Sequence, residues 1–432
     1  MAGYPRSIRR AMSLPAVVGV TALALTACSG GGDDAGGDSG GGSEFSVLSV
    51  NENTTVSAVL EALAADQCAT QNEAMPLAVE NLPQAQLGQQ LQLLAGQDAL
   101  PMMFGADNPT LTKELAEAGQ VLDLEGTGAA DNFEPAAVAT IENLYDGLWV
   151  LPTEFNIEGI WYNEQVFADN GVEVPATWDD LVAAAETLSA AGVQPFSASG
   201  EQGWPLTRLI SGYLYRDLGP EALQAVVDGD AKLTDPEYVA GAQAVADLGA
   251  EGWFGQGVGS IDYDTALNTF LTGDAAMLYM GSWALSNFAN PEQNQIGEDN
   301  IGFMPFPDVE GGSGSADQYP ANVGLPFAVS AKATSDDAQA WLDCIAENYG
   351  TQALTEANQI TGFTVNEEVE VGELTATVQE AIAATEQSVL WLEAPFSPQF
   401  QTVSTTNAAP LVTGGVTPED FMSQLQAAID AA

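Results

Sequence analysis

The segment Gly159-Ile160-Trp161-Tyr162-Asn163-Glu164 leads into Val174-Pro175-Ala176-Thr177-Trp178-Asp179-Asp180-Leu181, and the hydrophobic period changes between the two. Gly147 to Tyr162 (GLWVLPTEFNIEGIWY) reads as two extended runs on either side of Pro152-Thr153-Glu154. A helix over 177–191 follows. Thr177 is its N-cap, with Asp180 three residues on, close to a capping box. Leu181, Ala185 and Leu188 form its buried face, and Gly192 ends it. An extended run followed by a capped amphipathic helix is a building unit of α/β proteins.

The same alternation runs outward in both directions. Phe45 to Val50 reads as a first strand. Val56, Val59, Leu60 and Leu63 are spaced for one face of a helix that Asn53 or Thr54 can cap. Met75 to Val79 is a strand, Leu87 to Ala95 a helix, and Leu100 to Phe104 a strand that ends at Gly105-Ala106-Asp107-Asn108. Downstream, helices are expected over 236–249, 264–271 and 335–347, and from Pro418 to Ala431. Strands are expected from Ala275 to Tyr279, Ile301 to Pro305 and Asn322 to Val329. In open α/β sheets ligands sit beyond the carboxyl ends of strands, and Asn51–Asn53 and Asp107–Asn108 occupy such positions.

The chain has 432 residues, 46% hydrophobic and 8% aromatic, enough for two or three packed domains. Its charge is extreme, with 60 Asp and Glu against 8 Lys and Arg. Three of the bases are Arg6, Arg9 and Arg10. The others are Lys113, Arg208, Arg216, Lys232 and Lys332. Nucleic-acid binding needs clustered bases against phosphate and is excluded. Anionic ligands are disfavoured on the same ground. The acids make a solvated, self-repelling surface. With no His in the chain, His-based triads and imidazole metal ligands are absent. Too few cysteines remain for a thiolate zinc site, and neither metal nor cofactor is expected.

At the N-terminus, three Arg precede the uncharged run Leu14 to Ala27, which is too short to span a bilayer. This is the pattern of a secretory signal peptide over 1–27. Its end, Leu25-Thr26-Ala27-Cys28, resembles the bacterial lipobox, in which the Cys becomes lipidated. Residues 28–44 are a Gly/Ser/Asp tether. The expectation is a body anchored by lipid on Cys28 at the outer face of the cell membrane.

Three segments in order resemble the extracellular solute-binding proteins of bacterial ABC importers, in the sugar-binding family that includes maltose-binding protein. The first is the pair of motifs quoted at the outset. The second is Phe270-Leu271-Thr272-Gly273-Asp274-Ala275-Ala276-Met277 with Gly281-Ser282-Trp283. The third is Ile301-Gly302-Phe303-Met304-Pro305-Phe306-Pro307. The likeness covers residues 45–432. It implies a two-lobed periplasmic-binding-protein-like α/β fold of type II, with a ligand cleft between the lobes and a hinge that the chain crosses three times. One lobe would be 45–154 plus 323–372 and the other 155–322 plus 373–432. It also implies a monomer that does no chemistry and hands a carbohydrate, an oligosaccharide, to membrane permease subunits. The ATPase would be another polypeptide, since this chain has no GxxxxGK[ST] loop.

A sugar presents hydroxyls and a weakly apolar ring face, so its site needs flat aromatics with carboxylates or amides. The resemblance places Trp283 on a sugar ring, Trp204 on a cleft loop with Glu201 and Gln202, and Phe400 near a C-terminal aromatic position. Trp391 and Phe396 compete with Phe400 in that segment, with core packing the default for all three. Polar candidates are Glu52, Asn53, Asp107, Asn108, Asn156 at the hinge and Asn322 at the second crossing. Arg208 and Arg216 are expected to pair with carboxylates, although Arg208 lies near the Trp204 loop. Trp161, Trp178 and Trp341 are expected in the core. Cys68 and Cys344, both in the first lobe, are expected to form a disulfide outside the cell.

Two other readings stay open on the residues alone. One is a glycosidase working with two carboxylates. The other is a binding protein for a non-sugar solute such as a polyamine, an iron complex or a peptide. The charge itself has a consequence that holds under every reading. Like charges on the folded surface are screened by salt, so the unfolding midpoint should rise from low to molar NaCl. A midpoint that stays flat over that range contradicts a repulsion-limited body.

Overall fold

A computed structural model describes residues 44–51, 53–385 and 387–431. The expected signal peptide, Cys28, most of the tether and Glu52 lie outside the described residues. Among the described residues, ten strands form two sheets. They are β1 (Phe45–Val50), β2 (Leu77–Leu82), β3 (Met103–Gly105), β4 (Val150–Leu151), β5 (Asn156–Asn163), β6 (Gln194–Ser197), β7 (Ala275–Gly281), β8 (Ile301–Met304), β9 (Ala321–Asn322) and β10 (Phe327–Val329). The first sheet has the order β2-β1-β3-β10-β4, and the second β6-β7-β5-β8, with β9 pairing on β5. β1 runs parallel to β2 and β3, whereas β10 is antiparallel to β3 and β4. In the second sheet β6 and β7 are parallel, and β5 is antiparallel to β7, β8 and β9.

The strand β5 is buried along almost its whole length, because both of its faces are covered. Successive side chains point to opposite faces. Trp161, with Leu278 and Met280 of β7, joins the core that also holds the first sheet. Ile160, with Met277 and Tyr279, joins the core on the other face. Trp161, Trp178 and Trp341 are all core residues. Trp341 stacks on Phe45 at 5.2 Å and Trp178 on Phe306 at 5.5 Å. The helix Trp178–Ala190 carries the complete capping box of Thr177 and Asp180.

The expected strand from Asn322 to Val329 does not exist as one element. It is split into β9 and β10, which belong to different sheets. Gly324, at φ +56°, lies in the turn between them, where a Cβ would collide with the Glu154 carboxylate. The chain thus passes from the first sheet to the second between Leu151 and Asn156, and back between Asn322 and Phe327. After the helix Asp336–Ala357 it passes residues 358–363 to reach the helix Glu373–Ala384, which packs on β8. These connections are laced together. The Thr153 hydroxyl donates to the Leu325 carbonyl at 2.9 Å. The Phe155 amide donates to the Ile360 carbonyl at 3.1 Å, and the Gly362 amide to the Pro152 carbonyl at 2.9 Å. β2 begins two residues later than expected, at Leu77 rather than Met75, and Met75 is buried beneath Trp341, whose indole donates to its carbonyl at 2.8 Å.

Arg216 is almost fully buried. It does more than pair with acid: its guanidinium donates to the carbonyls of Phe306 and Gln318, each at 2.9 Å, with Asp308 at 3.7 Å. Burial pulls its pKa below the usual arginine value, partly offset by Asp308. It staples the segment after β8 onto the helix Trp204–Leu218.

Cys68 and Cys344 form a disulfide between the end of the first helical segment and the helix Asp336–Ala357, closing a span of 276 residues. A crosslink over so long a loop restricts the unfolded chain strongly, by on the order of 2–5 kcal/mol. The Cys68→Ala/Cys344→Ala double variant should therefore unfold at clearly lower denaturant. An unchanged midpoint would show that the bond contributes nothing to stability.

Candidate functional site

Glu154, Asn156 and Glu158 alternate with Phe155 and Ile157 through the first connection into β5. The period of two puts the polar set on one side and the apolar set on the other. Phe155 and Ile157 are core residues, while the three polar side chains are buried in hydrogen bonds. Glu158 is fully buried. It accepts from Arg208 and, at 3.2 Å, from the Asn322 amide. Asn156 donates to Asn322 at 3.4 Å and accepts from the Ser282 hydroxyl at 3.3 Å. Glu154 accepts from Asn53, with Asn156, Gln359 and the Leu325 main-chain amide also donating toward it. The result is one polar series, Arg208–Glu158–Asn322–Asn156–Glu154–Asn53, running from the second sheet to the loop after β1.

Arg208 projects from the helix Trp204–Leu218 into a wall of indoles. Its guanidinium carbon lies 4.6 Å from the ring centre of Trp204, 5.1 Å from Trp391 and 5.9 Å from Trp283. Contacts of this kind are each worth about 0.5–2 kcal/mol. Trp204 meets Trp283 edge to face at 5.9 Å. The Trp283 indole donates to the Tyr263 hydroxyl at 3.1 Å. All four aromatics are half-buried. The wall is held by a close approach at Gly203, φ +74°, where any Cβ would strike the Thr405 carbonyl. Only a glycine lets the loop before Trp204 dock there.

Beside this wall a pocket of about 200 Å³ opens between the two sheets. Trp283 forms one side. Asn53, Glu154, Asn156, Ser282 and Gln359 supply polar groups around it. A larger cavity of about 370 Å³ lies behind residues 359–361, lined largely by apolar side chains such as Leu354, Phe363 and Ile382. It offers few partners for hydroxyls, so the smaller, polar pocket is the candidate site. Among the described residues no group of three or more acids or cysteines is placed to hold a metal ion.

Of the residues singled out from the sequence, Asn53, Asn156 and Trp283 line this pocket, and Trp204 and Asn322 join it through the wall and the polar series. Asn53 makes no side-chain cap on its helix; its amide goes to Glu154 instead. Five others have different placements. Phe400 is fully buried in the core of the second sheet, packed on Phe396 at 4.4 Å, and offers no face to a ligand. Asn108 is an exposed helix cap, accepting from the Leu111 amide at 3.0 Å. Asp107, also exposed, accepts from Gln84 at 3.2 Å. Glu201 is exposed, and Gln202 accepts from the Ser199 hydroxyl within its own loop. Arg208, Glu154, Glu158 and Gln359 join the candidate site without having been assigned to it from sequence, and Trp391, expected only as a rival to Phe400 with core packing as the default, flanks Arg208 in it. The two-residue polar alternation around Asn156 was the available signal for the two glutamates.

Glu154 sits where the connections between the sheets meet. Burial raises its pKa above the usual carboxylate value, and the hydrogen bonds from Asn53, Asn156, Gln359 and Leu325 offset this only in part. A carboxyl with a raised folded-state pKa holds its proton more tightly folded than unfolded. Its contribution to stability therefore falls as pH rises through the window from the ordinary value to the raised one. Relative to Glu154→Gln, the wild type should gain stability as pH falls from about 7 to about 4, then level off. Denaturant midpoints of both proteins across that range check this, and a constant difference would contradict it.

Comparison with known proteins adds the family. The sequence model described as bacterial extracellular solute-binding protein matches residues 76–352. The Multiple sugar-binding protein of Streptococcus mutans is 29% identical over 177 residues, which is 39% of this chain and 40% of that one. The chain thus spans less than half the length of such curated relatives. Two solved structures share the fold. A chitin oligosaccharide binding protein superposes with a TM-score of 0.75 at 24% identity, covering 90% of this chain and 99% of its own. The solute-binding protein RafE in complex with raffinose superposes with a TM-score of 0.70 at 21% identity, covering 89% and 99%. The family match spans most of both sheets and the first two connections between them, and the two-lobed fold agrees with it: the chain belongs to the bacterial extracellular solute-binding proteins.

Proposed function

We propose that this chain is the substrate-binding component of an ABC importer, that it captures a carbohydrate between its two lobes, and that it does no chemistry on it. The observation that carries this reading is the position of Trp283. It is at once a side of the polar pocket and a member of the indole wall. One sugar ring needs both, a flat face to stack on and amides or carboxylates for its hydroxyls. The pocket, at about 200 Å³, is smaller than the roughly 300–1,000 Å³ of sites for drug-sized ligands. It suits one ring, with following rings of an oligosaccharide lying along Trp204 and Trp391. Relatives whose names refer to multiple sugars, chitin oligosaccharide and raffinose favour the same class.

In this reading the lobes are 45–154 plus 323–372 and 155–322 plus 373–432. Ligand contacts both and stabilises the closed form by population shift. The protein is a monomer, lipidated at Cys28 after removal of residues 1–27 and held on the outer face of the cell membrane by the 28–44 tether. It delivers its ligand to a permease pair driven by a separate ATPase.

Intrinsic tryptophan fluorescence of the purified protein, titrated with mono- and oligosaccharides, tests the proposal. A saturable change with one sugar class, with no sugar consumed, is expected, and Trp283→Ala should weaken that binding at least tenfold. Silence of the folded protein across the panel would point to a non-sugar solute. Consumption of the sugar would make the protein a glycosidase.

A further inference from the structure

We propose that Glu158 and Arg208 together act as a charge filter in the cleft: the site takes neutral glycans, and Glu158 is the residue that excludes glycans bearing a uronate. The inference rests on the carbohydrate reading above and names the ligand class within it.

A guanidinium between aromatic rings, with part of its edge open to a cleft, is the usual equipment for binding a carboxylate. Arg208 sits among three indoles, with 14% of its side chain exposed and its Nε buried without a hydrogen-bond partner. Here the charge is already matched. Glu158, fully buried, occupies one arm of the fork, and the Asn322 amide fixes the same carboxylate oxygen at 3.2 Å. Its second oxygen is buried and has no hydrogen-bond partner. Glu393, also buried, is held by the hydroxyls of Thr207 and Ser404, each at 2.6 Å, and its charge also acts on Arg208. Two fixed carboxylates therefore face one cation.

Among the described residues no Lys or Arg lines the pocket, the exposed Lys232 included. Lys113 and Lys332 pair with Asp146 and Asp98, and Arg216 is committed to main-chain carbonyls. An entering carboxylate would find the charge of Arg208 already matched by Glu158 and Glu393, in a site where desolvation strengthens the repulsion from them. A neutral hydroxyl carries no charge and meets no such repulsion. Burial works against the charge on Arg208, but Glu158 and Glu393 more than offset this and hold its pKa above the usual value. The cation is therefore permanent, and the filter depends on Glu158 rather than on titration of the arginine.

Calorimetric titration of the purified protein tests this with paired probes: galacto-oligosaccharides beside oligogalacturonides, and xylo-oligosaccharides beside their glucuronic acid-substituted forms. Wild type should bind a neutral member at least 100-fold more tightly than its uronate counterpart. Glu158→Gln should narrow that ratio tenfold or more, through tighter uronate binding. Arg208→Gln should produce no such gain, which separates a charge effect from general loosening of the wall. If Glu158→Gln does not fold, Glu393→Gln keeps the ion pair and should narrow the ratio threefold or more. Wild-type affinities within threefold of each other overturn the filter, as does an unchanged ratio in the folded glutamine variants. Failure of the folded wild type to bind any glycan, neutral or acidic, overturns the carbohydrate reading itself.

Discussion

Asn156 donates to Asn322, and Asn322 in turn donates to Glu158; the site and the connections between the sheets both depend on this pair of amides. A carboxylate only accepts and a guanidinium only donates, whereas an amide does both. Glu154 and Glu158 therefore cannot be joined directly in one hydrogen-bonded series. Two asparagines between them link the two, and each comes from a strand that leads into or out of the second sheet. Removing either would leave a buried acceptor without its donor, which costs more than the hydrogen bond itself contributes.

This constraint accounts for several features at once. Gly324 has no side chain, so the second connection can lie against the Glu154 carboxylate. Asn53 gives up helix capping to reach Glu154. Glu158 is held in place, and through it Arg208, and around Arg208 the three indoles. Breaking a buried ion pair by removing one partner typically costs about 3–5 kcal/mol. The indole wall thus inherits its geometry from the hydrogen bonds at the connections. The candidate site and the connections between the sheets share the same residues.

Much of the architecture was legible in the chain. The capping box at Thr177 and Asp180, the apolar face of its helix and the core positions of Trp161, Trp178 and Trp341 follow from local periodicity and side-chain chemistry. The choice of Asn156 as a site candidate came instead from the family resemblance. The division of Asn322–Val329 into two strands was not legible, because its composition suits one extended run. What splits it is the need to change sheets. Phe400 was misplaced for a related reason. An aromatic near the C-terminus looks the same in sequence whether its ring faces a cleft or a core, and the turn of its helix decides.

The sequence by itself determined the α/β class, the acidic surface, the exclusion of nucleic acid and of imidazole chemistry, and the kinship with solute-binding proteins. These depend on composition, on local spacing and on motifs contiguous in the chain. Only the tertiary structure decided which acids matter among 60. It brought Glu154 to Asn53, which is 101 positions away, and Arg208 to Glu158, 50 positions away. It set Trp391 beside Trp204 across Arg208. Charges and rings acquire a role through what lies within a few ångströms of them. That neighbourhood is set by the packing of two sheets and by no run of adjacent residues.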